Sequence, residues 1–235
     1  MPRPDGTTFT TTARQVLNTK DPALNYEYQD ISIPGQQPLL AERLHRLGVA
    51  VPDANILAGA LAMAPRKSTE LVGQTGAAVR ISGAVTDASV QLDNDARSRL
   101  TNSLSIKPLA NAVPGAPPQA PDRVFLALEN ITSSTDAGLF HVYVNLPKGA
   151  DPAQHPENLA GVVSLFGARA ASKADGPHAG SGLTQTIEIT DIVDAMHLKG
   201  QLNTQALDVK FVAQTPLPEK NKVDVGRVRI YRQSR

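Results

Sequence analysis

The sequence predicts a mainly β protein: an antiparallel β-sandwich of jelly-roll type, with one short helix and a long irregular N-terminal segment. Three observations carry that prediction. Six segments in the last half alternate apolar and polar residues with the two-residue period of half-buried strands, and turn-rich stretches separate them. Six of the nine aromatic residues (Phe125, Phe140, Tyr143, Phe166, Phe211 and Tyr231) lie among those segments. Large rings dominate core burial, so the best-packed core is expected toward the C-terminus.

In chain order, residues 1–36 read as extended and turn-rich, with Thr-rich β-formers at 7–12 and a turn at Pro34-Gly35. A connector at 37–68 opens with a short helix over 38–47. There Leu39, Leu40, Leu44 and Leu47 recur at helical spacing, and Gly48 ends the run. The Ala-rich stretch 54–64 is open to a helical reading, which its glycines weaken. From residue 69 the period becomes that of strands. AVRISG (78–83) and ASVQLD (88–93) alternate, and a single helical turn is expected around Asp95–Leu100. The proline-rich loop 108–121 excludes a central strand or helix. Beyond it come the six strand candidates, 123–131, 139–146, 161–167, 183–190, 206–213 and 223–232. They complete a C-terminal sandwich domain over 69–235. TDIVDAMHL (190–198) breaks the pattern as a helix, with Thr190 as its expected N-cap and Ile192, Val193 and Met196 as its packing face.

Composition excludes several chemistries. The chain has no cysteine, so disulfide scaffolds, thiolate metal sites and cysteine nucleophiles are out. A net charge of +1 points to neither nucleic acid nor a membrane surface as partner. The basic residues near the end, from Lys220 to Arg235, are interleaved with Glu219 and Asp224 and read as a solvated strand face. No secretory h-region opens the sequence, and no apolar run approaches the ~20 residues a membrane span needs, so a soluble, cytoplasmic protein is expected.

The five histidines (His45, His141, His155, His178 and His197) are never closer than 14 residues, which argues against paired ligands on one helix. His141 reads as a cross-strand histidine, and His197 stands at the C-terminal end of its helix. His178 lies in a Gly-rich loop and is the best placed for an external contact. Gly180-Ser181-Gly182 precedes a strand rather than forming a strand–helix elbow. Asp191 and Asp194 are read as exposed or capping residues of their helix.

Two stretches resemble the tyrosinase and polyphenol oxidase family. TARQVLNTKDPALNYEYQDISIP (12–34), with its Tyr26-Glu27-Tyr28, looks like the end of the catalytic domain in these enzymes. FLALENI, FHVYVNLP, AGVVSLFG, LTQTIEITDIVDAM, ALDVKFVA and VGRVRIYR follow in the order of the family's C-terminal domain, with Phe140, Tyr143 and Asn145 in its F-x-V-Y-V-N block. The resemblance implies a copper-free accessory or lid domain. In the family such a domain covers a dicopper catalytic bundle, often with one side chain filling the substrate position, and that bundle is missing from this sequence. No catalytic, cofactor or metal residue carries over. The implied partner is a tyrosinase-like copper-binding domain or subunit, and the face that meets it should be apolar. His178 and Leu183 are candidate loop contacts, while Tyr26 and Tyr28 are expected to anchor the front segment. Two alternatives from other classes stand beside this reading: a free-standing sandwich that binds sugars or proteins, and a self-contained metal enzyme whose histidines converge in space.

Overall fold

Each alternating segment turns one apolar face inward, and the sheet follows from where those faces meet. The computed structural model describes residues 36–48, 68–105, 121–176, 179–203, 205–218 and 220–234. Its elements are α1 (Gln36–Arg46), β1 (Thr69–Gln74), β2 (Val79–Ile81), β3 (Gly83–Leu92), α2 (Asn94–Leu104), β4 (Arg123–Ser133), β5 (Leu139–Val144), β6 (Leu159–Ser164), α3 (Ala168–Ala171), β7 (Leu183–Glu188), α4 (Thr190–Leu198), β8 (Ala206–Leu217) and β9 (Val223–Gln233). The six strands expected after residue 122 are all present. Residues 1–35, the Ala-rich stretch 54–64 and most of the proline-rich loop lie outside the described residues.

The strands form one antiparallel sheet in the order β6-β5-β8-β3-β1-β9-β4-β7, with β2 added beside β9. The fold is thus mainly antiparallel β and sandwich-like, its two walls being parts of one rolled sheet. The edge strands meet through side chains: Gln185 Nε2 donates to the Ser164 carbonyl at 3.2 Å, and the Ile187 side chain lies against Gly161. Inside, Val72, Val90, Leu126, Leu128, Phe140, Val142, Val209, Phe211, Val228 and Ile230 share one core. Each large apolar side chain buried this way contributes about 1.5–3 kcal/mol.

Two local expectations are corrected. The single turn expected at 95–100 is an eleven-residue helix, α2. Asp93 caps it by accepting from the Ala96 N–H at 2.8 Å, and Ala96, Leu100 and Leu104 bury one stripe at four-residue spacing. Its polar remainder hid that stripe. Thr190 is not the cap of α4: Ile189 takes the N-cap position, without a side-chain bond. The Thr190 hydroxyl instead accepts from the Val124 N–H at 3.0 Å and donates to Glu188 at 2.7 Å, tying the helix to β4 and β7.

At the end of the sheet where β4 starts and β7 and β9 finish, arginine–carboxylate pairs accumulate. Arg99 and Arg232 bond Glu70, Arg232 also bonds Asp122, and Arg123 bonds Glu188 while lying over the Phe125 ring. The Arg99 hydrogen bond leads in holding the Glu70 carboxyl below the usual carboxylate range, and Arg123 does the same for Glu188. The basic C-terminal strand is therefore largely internally paired, Arg229 with Glu129 at 2.6 Å included.

Candidate functional site

Strand alternation on β5 buries Phe140, Val142 and Val144 and turns Leu139 and His141 to the outer face. Register then builds a row across four strands. His141 stands opposite Val162 of β6 and Val212 of β8, and Val212 stands opposite Val85 of β3. Leu139 stands opposite Ser164. Val85, Leu139 and Val162 are 48%, 40% and 50% exposed. One register step further, the Lys210–Asp87 ion pair, at 2.6 Å, gives this apolar face a charged border.

The chain leaves β6 through Leu165, which returns to the core, and then presents Phe166, 84% exposed. Among the described residues it is the one exposed aromatic side chain. Its turn is held from several sides. The Phe166 N–H donates to Ser164 Oγ at 3.1 Å and the Leu165 N–H to the Gly138 carbonyl at 3.1 Å. Asp136 accepts from both the backbone N–H and Nε of Arg169 at 3.0 Å. Gly167 supplies the left-handed φ of +81° that turns the chain into α3. The braced backbone fixes where the ring is displayed before any partner arrives, which lowers the ordering cost of inserting it into a complementary pocket.

The residues singled out in the sequence scatter around this face. Phe140 is core. Tyr143, on the outer face of β5, is nevertheless buried. Asn145 sits at φ +52°, a conformation asparagine tolerates, with its N–H bonded to the Asp208 carbonyl at 2.8 Å. Leu183 lies not in a loop but at the start of β7, where it packs half-buried against the core. Tyr26, Tyr28 and His178 lie outside the described residues. His155 bonds Glu157 at 3.0 Å. No three His, Asp or Glu side chains among the described residues gather to hold a metal ion.

Sequence reasoning missed two things. Phe166 was counted within a strand and so within the core; the Gly167 that follows it is the signal of a turn. Asp194 is neither exposed nor capping: its carboxylate takes two bonds from Arg43, at 2.7 and 2.8 Å, and both side chains are more than nine-tenths buried. The partners stand 151 residues apart, beyond the reach of any local pattern. Asp191, by contrast, is exposed and pairs with Arg46 at 2.7 Å.

No helix of the described residues is long and apolar enough to cross a membrane. No curated protein sequence matches the chain. Among solved structures, a latent aurone synthase (polyphenol oxidase) from its natural source is 14% identical, with a TM-score of 0.37 over 64% of this chain and 25% of that one. Latent apple tyrosinase is 18% identical, with a TM-score of 0.34 over 65% of this chain and 27% of that one. The chain spans about a quarter of the length of these structures. Residues 68–233, which hold the whole rolled sheet, match the family described as "Domain of unknown function (DUF7868)", and the chain belongs to that family.

Proposed function

We propose that this chain is a non-catalytic accessory or lid domain of a tyrosinase-like type-3 copper phenol oxidase, covering a catalytic bundle that lies outside this sequence. The observation that carries the reading is Phe166, held bare on a braced turn beside an exposed apolar strip of Leu139, Val162 and Val85. A lid needs an apolar docking face and one side chain able to enter a substrate pocket, and this face supplies both. The F-x-V-Y-V-N block at Phe140–Asn145 and the ordered strand segments give the reading its family. The action would be steric: the bundle's substrate funnel is covered, bulky phenols are excluded, and apolar surface on both partners leaves water.

The test uses a polyphenol oxidase catalytic bundle stripped of its own C-terminal domain, assayed for catechol oxidation as this chain is added. Saturable inhibition, lost with Phe166→Ala, is the expected result. The isolated chain, with and without Cu2+, should neither oxidise catechol nor take up stoichiometric copper. Inhibition that Phe166→Ala leaves unchanged removes Phe166 from the role, and turnover by the isolated chain overturns the reading.

A further inference from the structure

Leu40, Arg43 and Leu44 of helix α1 and Leu47 just past its end share one face, at the three- and four-residue spacing of a helix stripe. Leu40 and Leu44 are buried and Leu47 packs against the main core. Arg43 sits in the middle of that stripe, where a leucine or methionine would serve packing better. Its guanidinium makes four hydrogen bonds: two to Asp194, one to the Pro121 carbonyl at 3.0 Å and one to the Asp122 carbonyl at 2.7 Å.

A buried ion pair is a poor source of net stability, because removing two charges from water offsets much of their attraction. What such a pair provides is a single permitted position. Four directional bonds fix α1 against α4 and against the residues that lead into β4, and no sliding of the leucine stripe preserves them. The pair also makes detachment different in kind from the loss of an apolar contact. Both charged groups are hydrated when they separate, so water stabilises the open state as it would not for two leucines. We propose that α1 is a releasable latch, docked in one register by the Arg43–Asp194 pair and able to leave the sandwich while the rolled sheet stays folded.

Hydrogen exchange on the whole chain tests the latch without reference to copper or catalysis, so its failure is distinguishable from failure of the lid reading. In Asp194→Asn the amides of α1 are expected to exchange at least about ten-fold faster, with β4 and β9 protected as in the wild type. The double variant Arg43→Met/Asp194→Leu, which completes the apolar stripe and leaves no unpaired charge, is expected to restore protection of α1. Unchanged exchange in α1 of Asp194→Asn overturns the proposal. So does equal loss of protection in β4 and β9, or failure of that variant to fold, since either makes the pair part of the global core. A double variant whose α1 exchanges as fast as that of Asp194→Asn overturns the assigned role of the pair.

Discussion

Two phenylalanines near one corner of the sheet should respond to the same truncation by very different amounts. Phe140 is 1% exposed and faces the core from β5. Replacing it with alanine removes its transfer free energy and leaves a cavity, a cost of about 3–5 kcal/mol. Phe166 is 84% exposed, so only about a sixth of its surface is covered by its own chain. For a ring of roughly 200 Å2 that is ~30 Å2, or ~0.8 kcal/mol at about 25 cal/mol per Å2. In a domain of this size 1 kcal/mol moves the melting temperature by about 2–4 °C. Phe140→Ala should therefore lower Tm by roughly 6–20 °C, and Phe166→Ala by no more than about 3 °C. Thermal unfolding followed by circular dichroism and by calorimetry on both variants gives the comparison directly. Should Phe166→Ala cost as much as Phe140→Ala, the ring packs against its own chain in solution and the displayed-ring argument collapses. A large loss of binding to a catalytic bundle with an unmoved Tm is the pattern of a contact residue.

Glu70 and Glu188 are held below the usual carboxylate range by their arginines, so the stability they supply is fully present above about pH 4.3 and is lost as pH falls through their folded values. Tm should be flat from pH 7 to pH 5 and fall below about 4.3, with a shallower acid limb in Glu188→Gln; an identical limb in that variant removes Glu188 from the account. Gly182 has φ +74°, and a methyl group there would lie 2.5 Å from the Ile131 carbonyl oxygen. Gly182→Ala should cost on the order of 2 kcal/mol, measured by urea unfolding, and a variant as stable as the wild type contradicts the strained geometry.

The strands were legible because their cause is local. In LFHVYV or VDVGRVRIY the alternation of apolar and polar side chains states which face is buried, and a pleated backbone allows only that period. Helix α1 was legible for the same reason, through its leucines. Helix α2 was read as one turn because Ala96, Leu100 and Leu104 form a thin stripe in a polar segment, and the Asp93 cap that lengthens it depends on backbone geometry. The outer face was read only in part. His141 could be placed on a strand, but Val162, Val212 and Val85 become its neighbours through pairings between segments tens of residues apart.

Residue order thus settled the β class, the approximate place of most strands and the location of the core, since each is set by the period of side chains along a few neighbouring residues. Folding was needed to decide which strands are neighbours, which phenylalanine faces water, and which arginine meets Asp194. Those outcomes come from register and from how the sheet closes on itself. A register step of one residue would have turned Leu139 and His141 inward and Phe140 to the solvent.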